Sequence, residues 1–330
     1  MSVWRELDLI VIGDPTVDTF LHIHEAHVSF NIDPEREQLC IDYANKIPVD
    51  NFFRFPAGNS VNVAVSGARL GLKVAKYGMV GNDGDGHWII SELEKEGVDT
   101  KLMRIDKKKS TNYSTVLVFR RERTILIWHQ DRDYELPALP QSEWLYFTST
   151  GPQSRAFERL HKEVLGYLKS HDVKLAFNPG TYQLMLGRDG LKPFLERSEV
   201  VYLNKEETQG LTGKHTEDIK VLLRVLRDMG PKIAVVTDGP KGSYVYDGEK
   251  YFACGILDLP VVERTGAGDS FGSAFTVALK YGQTIPEAMR WGTFNSASVV
   301  GHDGGVIGLL RKSQMEDLSR KYPKLLPKEI

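Results

Sequence analysis

Residues 262–274 read VERTGAGDSFGSA and run directly into the apolar segment FTVALKY at 275–281. Gly266, Ala267 and Gly268 leave almost no side-chain bulk ahead of what the pattern predicts as a helix, so the first backbone N–H groups stay open to an anion. Those donors and the positive end of the helix dipole make a phosphate site. Asp269 falls at the same mouth, where a carboxylate can take a proton from an attacking hydroxyl while the glycine turn holds charge growing on a transferred group. The pairing points to phosphoryl transfer. A loop whose Asp merely caps the helix reads the same in isolation, so the rest of the chain has to decide.

The 330 residues are 41% apolar and 26% charged, enough for a sizeable core and unlike a disordered chain. Lys plus Arg (42) nearly balances Asp plus Glu (44), which argues for small-molecule work and against nucleic acid or an anionic membrane as partner. Cys40 and Cys254 lie far apart without metal or redox spacing, as expected of free thiols in a reducing cytoplasm. No stretch approaches a membrane span, and the opening MSVWRELDLIVIG reads as the approach to a first strand rather than a signal peptide.

LDLIVI at residues 7–12 is an apolar run, interrupted only at Asp8 and ending at Gly13, the mark of a strand buried on both faces of a parallel sheet. Asp18, in the DPTVD that follows, then lies past a strand's carboxyl end, where open α/β sheets bind ligands; it is a candidate to hold substrate hydroxyls, against plain turn duty. Residues 21–55 lose helical periodicity, and residues 112–119 and 124–129 read as the arms of a hairpin. These two β-rich excursions predict one small sheet covering the crevice and excluding water. His22, His24 and His27 fall in the first, with no Cys or carboxylate cluster to complete a metal site.

AGNSVNVAVSGARL at 57–70 is a glycine turn followed by a helix, with Asn59 and Asn62 on one face of its first turn. Their amides suit sugar hydroxyls, or simply cap the helix. KVAKYGMV at 73–80 reads as another strand. GNDGDG at 81–86 lacks the spacing of a dinucleotide fingerprint, which excludes a Rossmann oxidoreductase.

From residue 144 onward, strand and helix signals alternate as a βαβ series: strands at 144–147, 173–177, 200–203 and 233–236, with helices over 154–170 and 204–211. The prediction is an α/β fold: one domain over residues 1–330, a doubly wound, mostly parallel sheet with helices on both faces. A β-sheet lid is inserted from about 20–56 and 110–131. Asn204 and Glu207 in NKEE stand one helical turn apart and can face one hydrated magnesium ion, although a capping Asn with a first-turn Glu is ordinary helix chemistry. TDGPKG at 237–242 offers glycines and a hydroxyl to a phosphate or ribose, or else turns a hairpin. A Walker A loop is absent.

Taken in order, VIGDPTVD, AGNSVN, NKEE, VTDGPKG and ERTGAGD resemble the motifs of the ribokinase-like, or PfkB-type, carbohydrate kinases, and the resemblance covers nearly the whole chain. It implies the ribokinase-like fold and phosphorylation of a hydroxymethyl group on a small sugar with ATP and magnesium. Carried over position by position, it implies Asp269 as the base and Gly266, Ala267 and Gly268 as the anion hole. Asp18, Gly58, Asn59 and Asn62 would hold the sugar. Asn204 and Glu207 would organise magnesium and phosphates, with Thr237, Gly239 and Gly242 on the nucleotide and Thr293 and Asn295 near adenine. It also implies a lid that serves as a homodimer surface.

The chain departs from the family pattern at Ala57, where a glycine is usual, and at Glu263 and Arg264, where the family has Asp and Thr. In several members that Asp helps bind a potassium-like ion, so Glu263 is the candidate ligand for a monovalent cation, and its extra length counts against the role. Arg264 either meets phosphate charge or pairs with Glu263 or a surface acid. Residues 148–150 offer only hydroxyls where ribokinase grips its sugar with an acid. Arg54 and Lys46 are too few lid cations for a phosphorylated acceptor, so the expected acceptor is an uncharged sugar. A nucleoside kinase, with Phe52, Phe53 or Tyr113 stacked on a base, is the alternative; a non-catalytic sugar-binding regulator is the third reading.

Overall fold

The computed structural model describes residues 7–29, 37–120 and 122–330. The MSVWRE start, residues 30–36 of the first β-rich excursion and Arg121 of the hairpin turn lie outside the described residues.

Strand Leu7–Ile12 shows how the molecule is layered. Leu9 and Val11 enter one core with Val63, Phe275 and Phe294, whereas Ile10 and Ile12 enter another with Phe157, Phe194 and Leu223. Alternate side chains of one strand therefore feed two cores, which is why the run is apolar at every position from Leu9 to Ile12. Each such side chain removed from water contributes about 1.5–3 kcal/mol. Helices Asn59–Arg69, Ala267–Lys280 and Ile285–Val299 cover the first face, and Arg155–Ser170, Gly187–Leu195 and Ile219–Asp228 the second.

The central sheet runs Val74–Tyr77, Leu7–Ile12, Ser142–Phe147, Lys174–Phe177, Ser198–Asn204 and Ile233–Thr237 in spatial order, all parallel. Ser243–Tyr246, Tyr251–Cys254 and Lys328–Glu329 extend it antiparallel. This is the doubly wound, mostly parallel architecture that the alternating signals predict. No helix among the described residues is long and apolar enough to cross a membrane.

A second sheet has the order Glu122–Trp128, Tyr113–Phe119, Thr16–His22, Asn51–Ala57, so the two β-rich excursions meet in one layer. Its first strand begins at Thr16, earlier than the break in periodicity at Leu21 suggests, and Asp18 consequently sits on a strand rather than in a turn. KVAKYGMV is not one strand. Val74–Tyr77 joins the central sheet, while Met79–Gly81 pairs with Arg104–Asp106, with Gly78 between the two partners. The helix expected from His87 begins at Gly84, because the Asp83 carboxylate accepts from the Gly86 N–H at 2.8 Å and caps it there.

Candidate active site

The carboxyl ends of the parallel strands open into a cavity of about 430 Å³, closed on one side by the mouth of helix Ala267–Lys280 and on another by the second sheet. Its position is the usual ligand crevice of an open α/β sheet. Asp14, Asp18, Asn59, Asn204, Thr237 and Asp269 all face it. The second sheet contributes Arg123, Ile125 and Ile127, alternate residues of its edge strand, with His129 just beyond.

Gly266 caps the helix with φ 76°, a left-handed conformation, and a Cβ there would stand 2.7 Å from Gly305 Cα. Only glycine fits, and the next amides begin the helix facing the cavity. Asp269 lies in the first turn, 8% exposed, with its Oδ2 accepting from Asn62 Nδ2 at 2.9 Å. Burial pushes its carboxyl up to about 7, the Asn62 hydrogen bond opposes that, and the charges of Glu207 and Asp18 add to it. Asp18 is likewise raised to about 7 by burial, against a hydrogen bond from Ser114 and with the charge of Glu263 adding. Its Oδ1 has no partner among the described residues. Gly58, with φ 98°, precedes helix Asn59–Arg69 and brings Asn59 and Asn62 to the same hollow. Asn62 thus touches the proposed base itself, a role that the reading of it as a sugar ligand did not contain.

Asn204 and Glu207 form a reciprocal cap. Asn204 Oδ1 accepts from the Glu207 N–H at 2.7 Å, and Glu207 Oε2 from the Asn204 N–H at 2.9 Å. Both also face the cavity, so the capping and ligand readings coexist. Burial raises the Glu207 carboxyl. Thr237 is on the cavity wall, whereas Gly239 and Gly242 turn the hairpin into Ser243–Tyr246, closed by the Asp238 N–H donating to Gly242 O at 2.9 Å.

Several sequence expectations need correction. Asn295 is fully buried; its amide donates to Ser66 Oγ and Ser270 O, and its Oδ1 accepts from the Leu310 N–H, so it has nothing left for adenine. Thr293 turns its hydroxyl to Cys254 Sγ and is 6% exposed. Glu263 is buried with both oxygens on backbone N–H groups, of Thr265 at 2.7 Å and Gly304 at 3.1 Å. Both carboxylate oxygens are thus engaged in fixing the local chain, and a cation would have to share them with these N–H groups. Arg264 faces the cavity, and of its two expected acid partners it meets the surface one, reaching Glu122 of the second sheet at 3.9 Å. Arg54 is committed to Asp85 through two 2.8 Å bonds. Neither Arg54 nor Lys46 lines the cavity, and nor do Phe52, Phe53 or Tyr113. The residues that sequence reasoning missed are Arg123, His129 and Asp14. The two-residue period of a strand puts Arg123 and His129, six apart, on one face of the hairpin arm, and adjacency to the first strand's end signals Asp14.

The pfkB family of carbohydrate kinases matches residues 27–311, and the chain belongs to it. It is an ATP-dependent carbohydrate kinase. An ATP-dependent 6-phosphofructokinase of Thermoanaerobacterium thermosaccharolyticum is 26% identical over 83% of this chain and 87% of its own. A cytidine kinase of Thermococcus kodakarensis is 26% identical over 89% of this chain and 96% of its own. Among solved structures, a putative ribokinase II from E. coli, in complex with ATP and Mg2+, shares the ribokinase-like fold at TM-score 0.79, with 19% identity over 96% of this chain and 99% of that one.

Proposed function

We propose that the protein transfers the γ-phosphoryl group of ATP to a hydroxymethyl group of a small sugar. Asp269 takes the proton of the attacking hydroxyl, and the backbone N–H groups at Gly266, Ala267 and Gly268 hold the charge on the transferred phosphoryl. Asn62 fixes the Asp269 carboxylate. Asp18 and Asn59 hold acceptor hydroxyls, and Gly58 lets the chain approach them. The observation that carries this reading is a buried carboxylate, held near neutrality and bonded to Asn62, at the mouth of a glycine-capped helix with Asp18 across the same cavity.

Thr237 lies on the nucleotide side. Asn204 and Glu207, polar oxygens beside the cavity, suit a hydrated Mg2+, which when bound neutralises phosphate charge. The edge strand Glu122–Trp128 is exposed along its length, with Leu126 at 57% and Trp128 at 54%, and fits a homodimer formed through the second sheet. Cys40 and Cys254 are free thiols, in keeping with a reducing cytoplasm.

The test is ADP release over a panel of neutral sugars, sugar acids and nucleosides. Ribose- or fructose-like acceptors should support turnover, and Asp269→Asn should reduce it about 100-fold or more. Full turnover by that variant would remove Asp269 as base. The cytidine kinase relative supports a second reading, and cytidine or adenosine outcompeting the sugars would establish it.

A further inference from the structure

Asp14 follows the first central strand by two residues and is 7% exposed. Its main chain is fixed on both sides: its N–H donates to Ser149 O at 2.8 Å, and its carbonyl accepts from Ser60 Oγ at 3.0 Å. Its Oδ2 accepts from the hydroxyl of Tyr134, a fully buried side chain that in turn accepts from the Gly151 N–H at 2.7 Å. Asp14 lines the cavity, and its Oδ1 has no partner among the described residues. Burial raises the Asp14 carboxyl, while Tyr134, Arg132 and Lys76 act to keep it ionised. Lys76, fully buried one strand away, donates to the preceding Gly13 carbonyl at 2.9 Å. Tyr77, also buried, is the remaining titratable neighbour.

Asp14 is not alone. Asp18 Oδ1 and Asn62 Oδ1, on residues lining the same cavity, are further acceptors without a partner among the described residues, joined by one donor, the Asn112 amide nitrogen, and by three groups that can play either part, the Thr150 and Thr265 hydroxyls and His129 Nδ1. Buried polar atoms of a native fold find partners, so a set left open around a hollow describes its ligand in complement. Acceptors predominate here, and the ligand must bring donors. A neutral polyol brings O–H groups, whereas a carboxylate or phosphate set against Asp14 and Asp18 would bring only acceptors, and the arginines of this cavity, Arg123 and Arg264, lie toward the second sheet instead. We propose that Asp14, locked by Tyr134, is a second acceptor-binding carboxylate, and that Asp14 and Asp18 together select an uncharged polyhydroxyl acceptor over sugar acids and sugar phosphates. This inference rests on the kinase reading above.

The test measures steady-state ADP release with D-ribose and D-fructose, and with D-gluconate and fructose 6-phosphate as anionic counterparts. The intact protein should favour a neutral acceptor at least about tenfold in kcat/KM. Asp14→Asn should raise that acceptor's KM about 10- to 100-fold and move the ATP KM less than about twofold, a split that general loosening of the fold would not produce. Tyr134→Phe should raise the acceptor KM about three- to tenfold, and it carries the test if Asp14→Asn does not fold. An unchanged acceptor KM in the folded Asp14→Asn variant, preference for gluconate or fructose 6-phosphate, or no turnover of either neutral sugar overturns the inference. Turnover of the anionic acceptors alone would leave the kinase reading standing, whereas only an active Asp269→Asn protein would strike at its base.

Discussion

The cavity has two unlike walls. On the central-sheet side, Asp14, Asn62 and Asp269 are each 8% exposed or less, and the helix that carries Asp269 is buried from there to Ala278. On the other side the second sheet ends in Glu122–Trp128, exposed at every position, with Ile125 42% and Ile127 54% exposed. Burial raises the carboxyl proton affinities on the first wall, whereas the exposed edge strand of the second lies open to water and salt. Substitutions on the first wall should therefore change chemistry and pH response together, and those on the second should change assembly or screening while chemistry stays nearly constant.

The largest contrast is expected at Asp269. Its carboxyl must be ionised to accept a proton, so kcat/KM should rise with pH through about 7. Stability should run the other way. A carboxyl at 3.8 when free and about 7 when folded binds its proton more tightly in the fold, so its contribution is full below about pH 4 and lost as pH rises through 7. Asp269→Asn removes that loss: at pH 8 its Tm should exceed the parent's while ADP release collapses. A Tm lower than the parent's at pH 8 would show that the carboxylate is better solvated than its burial implies.

Next comes Asn62→Ala, which removes the 2.9 Å bond to Asp269. That bond favours the ionised form, so its loss should move the acidic limb of the pH profile upward and lower kcat about tenfold at pH 7. An unmoved limb would assign Asn62 to substrate alone. On the opposite wall, Leu126→Lys with Trp128→Lys should convert a dimer to monomer in sedimentation, with kcat changed less than about threefold. A chain that sediments as a monomer before substitution would end the dimer reading.

These walls were also unequally legible. The apolar run Leu7–Ile12 and the strand and helix alternation after residue 144 declare the central sheet, because burial on two faces leaves a composition that local pattern cannot imitate. The glycine turn before Asp269 is similarly plain, since a left-handed cap admits little else. What stayed hidden depends on which partner a group finds. Nothing local to Asn295 tells that Ser66 and Leu310 will take its amide, nor to Glu263 that Gly304 will face it from 41 residues away. Asp14 stands beside the first strand's end, where a ligand role is legible, but nothing local to it tells that Tyr134 will bond it from 120 residues along the chain.

The smallest effect, and the sharpest probe of the exposed wall, is expected at Arg264. It lines the cavity and spans the gap between the walls, its Nη1 3.9 Å from Glu122 Oε1, with side chains 53% and 75% exposed. A pair so long and so wet is worth about 0–1 kcal/mol and is screened by salt. If that pair is all Arg264 does, Arg264→Ala and Glu122→Ala should each shift Tm by about a degree or less and leave kcat within about twofold. Their effects on kcat would then match and fade together at 0.5 M NaCl, and the double variant would add nothing. If Arg264 instead meets the transferred phosphoryl group, Arg264→Ala alone should lower kcat, by about tenfold or more and in high salt too, because a guanidinium facing phosphate in a closed cavity is little screened. The two single variants then part company, and the arginine moves from the cover to the chemistry.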